Sequence, residues 1–196
     1  MNNAVILAGG ESRRMGRDKL KLPIGGRTLL DSAASRFAKE FKDVYISVAQ
    51  SGKYTDIAEG AQEIVDIIPG AGPISGLHAA LSNVPGDGVF LVAADLPFSC
   101  PHTAKRIIEL SGDADACIIR MPNGRVEPLF GYYRKTMLTR CEDAIKSGNH
   151  RMTSLLSDAN VRFVAPSELG GLWDEKIILN INYPEEYEKA ALEFLR

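Results

Sequence analysis

The chain has 196 residues, 45% hydrophobic and 24% charged, with 23 Lys and Arg set against 25 Asp and Glu. That balance excludes a globally basic nucleic-acid binder, and no apolar run approaches the roughly 18 residues of a membrane span. The length suits one domain over residues 1–196, large enough to bury its own core without disulfides or a structural metal.

The N-terminus leads straight into an apolar stretch, with no basic region ahead of it and no small-residue cleavage site behind, so no export signal is read. Cys100, Cys117 and Cys141 are odd in number, form no C-x-x-C pair and make no ligand spacing with His78, His102 or His150. Free thiols in a reducing, cytoplasmic setting are expected.

In chain order, Asn3–Ala8 is a continuous apolar strand that runs into Gly9-Gly10. Thr28–Phe41 carries Leu30, Ala33, Ala34, Phe37 and Phe41 on one helical face. Val44–Ala49 is β-branched and short, hence a strand, and Glu63–Val65 is a weaker one. Gly76–Ser82 reads as a short helix after the turn Gly70-Ala71-Gly72-Pro73, and Val89–Ala94 as a strong strand. Ser99 is placed to cap a helix over Pro101–Leu110. Ala116–Arg120 and Val126–Arg134 are strands joined by a hairpin turn at Asn123-Gly124. Helices at Lys135–Lys146 and Thr153–Asp158, strands at Val161–Val164 and Ile177–Ile181, and a helix over Pro184–Leu195 complete the chain. This alternation predicts a Rossmann-like α/β fold: a mostly parallel, mixed central sheet with helices on both faces. In such folds ligands gather beyond the carboxyl ends of the strands.

Chemistry-bearing residues collect at those ends. Leu7-Ala8-Gly9-Gly10 lets the backbone approach a ligand closely and makes an anion-binding concavity, and Arg13, Arg14, Arg17 and Lys19 follow within seven residues. Neither the Walker nor the dinucleotide fingerprint is present. A solvated basic turn is the plainer alternative for this loop. Asp95 exits the central apolar strand and is cut off by Leu96-Pro97, which leaves a carboxylate at the rim suited to Mg²⁺; capping the Ser99 region is the alternative. Asp66 ends another strand and faces the same crevice, or else simply forms a turn. Gly72 and Gly76 bracket a helix start whose N–H groups can meet an anion. Asn180 and Asn182 sit on one face of the predicted strand 177–181 and its exit, where they can read a polar ligand or bind a metal's waters, with a turn signal as the alternative; Arg151 is a lone candidate anion contact with a surface alternative.

The segment Leu7–Lys19, LAGGESRRMGRDK, resembles the signature LAGG-x-S-x-RMG-x-DK of nucleotidyltransferases of the molybdenum cofactor guanylyltransferase type. Gly72–Gly76 (GPISG), Ala94–Pro97 (ADLP), Glu127–Leu129 (EPL) and Asn180–Asn182 (NIN) resemble later blocks of the same family, in the same order. The resemblance implies transfer of GMP from GTP to the phosphate of Mo-molybdopterin, with pyrophosphate released and Mg²⁺ required. It places GTP on Leu7, Ala8, Gly9, Gly10, Lys19, Asp66, Gly72, Gly76 and Asp95, and Mg²⁺ on Asp95. Arg13, Lys19 and Asp95 would be catalytic, with Arg151, Asn180 and Asn182 nearer the pterin. Molybdopterin-delivery proteins and apo-molybdoenzymes would be partners. Ala49-Gln50-Ser51 and Glu127 depart from the family pattern, which commonly has Asn near the former and Gln at the latter.

The residue chemistry agrees with such a reaction. A phosphomonoester attacking an α-phosphate in line requires positioning and charge neutralisation, and no covalent nucleophile. The competing readings are a related enzyme using CTP or another phosphate acceptor, and a non-catalytic nucleotide binder. A nucleic-acid binder would interleave aromatic residues with the cations, and none lies between Gly9 and Lys19.

Overall fold

The computed structural model describes residues 3–9, 15–54 and 60–194. Strand β1 (Asn3–Leu7) is followed by a small hairpin of β2 (Pro23–Ile24) and β3 (Arg27–Thr28), helix α1 (Leu29–Ala38) and strands β4 (Asp43–Val48) and β5 (Ala61–Val65). Helix α2 (Pro73–Asn83), β6 (Gly88–Ala93), α3 (Pro101–Leu110), β7 (Ala116–Arg120), β8 (Val126–Arg134) and α4 (Leu138–Ser147) come next. The chain then runs through β9 (Val161–Val164), α5 (Pro166–Leu169) and α6 (Pro184–Glu193).

Seven strands pair in the order β5-β4-β1-β6-β8-β7-β9. All neighbours are parallel except β8, which runs antiparallel to both β6 and β7. The α/β class and the mixed sheet expected from the alternation are therefore present. β1 and β6 are apolar on both faces because both faces are covered. Ile6, Phe90 and Val92 pack with Leu30 and Phe37 of α1 and Ile107 of α3. Val5, Val89 and Leu91 pack on the other side with Leu77 and Leu81 of α2 and Cys141 of α4. The two-residue period of a strand sends alternate side chains to these two cores.

Several boundaries differ from the sequence reading, each for a visible reason. Helix α2 starts at Pro73, ahead of the predicted Gly76, because Gly72 (φ 59°) turns the chain and Pro fills the first helical position. The predicted cap Ser99 is not the cap of α3. Cys100 is, without a side-chain bond, and the Ser99 hydroxyl instead accepts from Arg36 at 3.3 Å. The predicted helix 153–158 is a 3₁₀ stretch, Met152–Leu156. The predicted strand 177–181 does not form: Glu175–Ile178 is a 3₁₀ turn, and the backbone of Ile181 is drawn into the site described below. The β7–β8 hairpin closes as expected at Gly124 (φ 84°), but its register jumps between Ile118 and Ile119, which pair with Gly131 and Glu127. At Gly131 a Cβ would lie 2.3 Å from Cγ2 of Ile118, so the bulge is built around a missing side chain.

Candidate active site

The carboxyl ends of β5, β4, β1 and β6 open on a cleft of about 660 Å³. Lys19, Asp66, Gly72, Gly76, Asp95 and Asn182 all line it, with Leu7 and Gly9 at the end of β1. The structure thus brings together residues spread over most of the sequence. Gly10 and Arg13 lie outside the described residues.

Asp95 follows β6 in a turn fixed by two backbone bonds, Ala94 N–H to the Leu7 carbonyl at 3.1 Å and Leu96 N–H to the Ala93 carbonyl at 3.2 Å. Its Oδ2 receives the Lys19 ammonium at 2.6 Å. Its Oδ1 is buried and has no hydrogen-bond partner among the described residues. Lys19 also donates to the Ile181 carbonyl at 2.8 Å and to Asn182 Oδ1 at 3.3 Å. The Ile181 N–H returns a bond to the Asp95 carbonyl at 3.0 Å. This exchange uses the backbone groups that a 177–181 strand would have needed for a ladder.

Lys19 is held in place by its neighbour. Asp18 caps the 3₁₀ turn Lys19–Lys21 by accepting from the Leu20 N–H at 3.1 Å, and it receives the Tyr54 hydroxyl at 3.1 Å and the Lys53 ammonium at 3.4 Å. Asp18 therefore positions the lysine that follows it. Tyr54, buried over this turn, was not visible as a site residue in the sequence.

Asp66 follows β5, its N–H bonded to the Val48 carbonyl at 2.9 Å. Its Oδ1 accepts from the Ser47 hydroxyl at 3.2 Å. Ser47 is a second residue missed by sequence reasoning; its signal was a single hydroxyl in the apolar run Val44–Ala49. Burial raises the Asp66 carboxyl above its usual range, opposed by the Ser47 bond and by His78. A carboxyl with a raised folded-state pKa binds its proton more tightly folded than unfolded. Its contribution is therefore most favourable below its ordinary pKa, and that benefit is lost as pH rises through the folded value. Asp66→Asn is accordingly expected to raise the melting temperature at pH 7, with the gain disappearing near pH 3.5. Thermal denaturation of both proteins at the two pH values checks the sign.

Gly76 lies in the first turns of α2, where that helix crosses the ends of β1 and β4. A Cβ there would sit 2.5 Å from both Leu7 Cδ2 and the Ser47 hydroxyl. Gly76→Ala is expected to cost about 1–3 kcal/mol of stability through overpacking and to weaken nucleotide binding by displacing Ser47 from Asp66. Urea unfolding and a nucleotide titration on the same variant separate the two effects.

The remaining sequence candidates fall in different places. Ala8 is buried, with its N–H on the Ser47 carbonyl at 2.9 Å and its carbonyl on the Tyr54 hydroxyl at 3.4 Å, and it does not line the cleft. Asn180 is half-buried with its Oδ1 unpartnered, and it is Asn182 that reaches the cleft. They are not paired on a strand face, because the strand is absent. Arg151 is exposed at the start of the 3₁₀ stretch 152–156, away from the cleft lining. Of the two departures from the family pattern, Ala49 lines the cleft and Gln50 is exposed. Glu127 is buried on β8, and its carboxyl is raised by burial, opposed by a backbone bond from Leu129, with the charge of Asp95 adding to the rise.

The α/β fold and strand-end cleft are those of a nucleotide-handling protein, and comparison with known proteins makes it a nucleotidyltransferase. The family described as the MobA-like NTP transferase domain matches residues 4–163. A relative from Pelotomaculum thermopropionicum, named "Probable molybdenum cofactor guanylyltransferase", is 33% identical over 96% of this chain and 91% of its own length. A Campylobacter jejuni protein named molybdenum cofactor guanylyltransferase is 29% identical over 97% of this chain and 96% of its own. The crystal structure of molybdopterin-guanine dinucleotide biosynthesis protein A from Archaeoglobus fulgidus superposes with a TM-score of 0.82 at 24% identity, covering 97% of both chains. The chain belongs to the MobA-like NTP transferase family.

Among the described residues, no helix is long and apolar enough to cross a membrane.

Proposed function

We propose that residues 1–196 act as one nucleotidyltransferase domain that transfers GMP from GTP to the phosphate of Mo-molybdopterin, forming the guanine dinucleotide cofactor and pyrophosphate. The observation that carries this reading is the Lys19–Asp95 pair in the cleft, with one carboxylate oxygen left without a partner among the described residues. A buried, unpartnered carboxylate oxygen is costly unless a ligand completes it. Among the described residues, no cluster of three or more His, Cys, Asp or Glu side chains is assembled around a metal position. Asp95 with phosphate and water oxygens is the donor set that Mg²⁺ takes in nucleotide sites. When bound there, Mg²⁺ would supply charge neutralisation and polarisation of phosphate oxygens.

The chain's own residues contribute position and charge. Lys19 brings a cation to the side of Asp95, where the entering triphosphate concentrates negative charge. Gly9 and Gly72, which carry no side chain, allow close approach of backbone to phosphate. The start of α2 offers N–H groups beside Gly76. Asp66, held by Ser47, is a hydrogen-bond acceptor for the nucleotide, and Asn182 reaches the same cleft from the far end of the sequence. The acceptor phosphomonoester is itself a nucleophile near neutral pH, so no protein base is required.

The test is a single-turnover reaction with Mg²⁺, Mo-molybdopterin and each of GTP and CTP, following pyrophosphate release. Formation of the guanine dinucleotide supports the reading. Preferential use of CTP would move the chain to the cytidylyl reaction.

A further inference from the structure

A second cavity, of about 630 Å³, lies on the other side of the loop that follows Asp95 and, among the described residues, shares no lining residue with the nucleotide cleft. It is walled by Phe98, Trp173 and Phe194, with Arg36 from α1 on its lining. The Phe98 and Phe194 rings lie 5.5 Å apart, and the Arg36 guanidinium sits 5.7 Å from the Phe194 ring centre.

The charge of Arg36 is not matched. Its two terminal nitrogens donate to the hydroxyls of Ser32 at 2.9 Å and Ser99 at 3.3 Å, and its Nε is buried with no partner among the described residues. Among the described residues, no carboxylate pairs with it. The two carboxylates lining the cavity are turned to Lys176, which lines it too: Asp174 accepts from the Lys176 N–H at 2.9 Å, and Glu193 pairs with the Lys176 ammonium. Burial pushes the guanidinium down to about 10, opposed by the neighbouring Cys100, so it remains a cation at neutral pH. Withdrawing a guanidinium from water without a counter-ion costs several kcal/mol, only partly offset by two hydroxyls and one aromatic face.

We infer that this cavity binds a small organic anion, with a carboxylate or phosphate head on Arg36 and a flat apolar body against the wall formed by Phe98, Trp173 and Phe194. Its volume falls within the range of ordinary small-molecule sites. The hydrogens of the two terminal nitrogens that Ser32 and Ser99 do not take remain to donate to such a head. The site is separate from the nucleotide cleft and goes beyond the proposed transfer reaction.

Trp173 is the single tryptophan of the chain, so its fluorescence reports on this cavity. Benzoate and phenyl phosphate, titrated into the full-length protein, are expected to give a saturable change with at least one of the two heads. Neutral benzamide is expected to give none. Arg36→Gln should weaken binding by about tenfold or more, the loss of one charge-assisted pair. Saturating Mg·GTP should leave the titration unchanged, which keeps this result independent of the proposed reaction. Should Arg36→Gln not fold, protection of Arg36 from phenylglyoxal by the bound probe, mapped by mass spectrometry in the unmodified sequence, replaces it. No saturable change with either anion, equal binding of benzamide, competition by Mg·GTP, or Arg36 left unprotected would each overturn the inference.

Discussion

Asp95→Ala is expected to lower turnover on the order of 10²-fold or more while the protein stays folded. Removing this carboxylate takes away the group assigned to Mg²⁺ and the charge partner of Lys19, 2.6 Å away. Lys19 keeps the Ile181 carbonyl at 2.8 Å and Asn182 at 3.3 Å, so the loop is not released. The substitution also removes a buried oxygen with no partner, which offsets part of the lost ion pair. Asp95→Asn preserves the shape and removes only the charge. Both variants should show the native far-ultraviolet circular dichroism spectrum, and turnover measured against Mg²⁺ concentration should fall in both. A variant that unfolds would assign Asp95 to structure instead.

Phe90→Ala is expected to cost about 3–5 kcal/mol of stability, a large share of the roughly 5–15 kcal/mol typical of a domain. Phe90 is fully buried in β6, meets Phe130 of β8 edge to face at 4.9 Å, and lies 6.4 Å from the Phe37 ring of α1. Truncation leaves a cavity between a central strand and two elements that cannot collapse onto it together. The same strand delivers Asp95 to the cleft, so the lesion lies upstream of the site without touching it. The urea midpoint should fall with little change in slope, and the melting temperature should drop by about 10 °C or more. At temperatures where the variant is folded, nucleotide affinity should stay near that of the parent.

The parts of this molecule set by local pattern were legible in the sequence. Apolar runs such as Asn3–Ala8 and Val89–Ala94 read as strands covered on both faces, which sets Asp95 at a strand exit, and the weaker strand Glu63–Val65 does the same for Asp66. The parts set by distant partners were not. Ile177–Ile181 has a strand-like composition, yet its backbone bonds Asp95 and Lys19, and no local signal encodes that. Ser99 looks like a helix cap but serves Arg36, 63 positions away. Ser47 and Tyr54 matter through Asp66 and Asp18, contacts that only the folded sheet creates. The start of α2 was misplaced because Gly72-Pro73 reads as a turn until Gly72 is seen to take a positive φ that feeds the helix.

In the proposed reaction the cleft beyond β1 and β6 holds Mg·GTP on Lys19 and Asp95. The most direct measurement is the melting temperature with GTP, CTP, ATP and UTP in turn, each with and without Mg²⁺, for the parent and Asp95→Ala. A ligand at 100 times its dissociation constant contributes about 2.7 kcal/mol, which is readily seen as a shift. A shift with GTP that requires Mg²⁺ and is lost in Asp95→Ala is expected. No shift with any nucleotide, or an equal shift in Asp95→Ala, would contradict it.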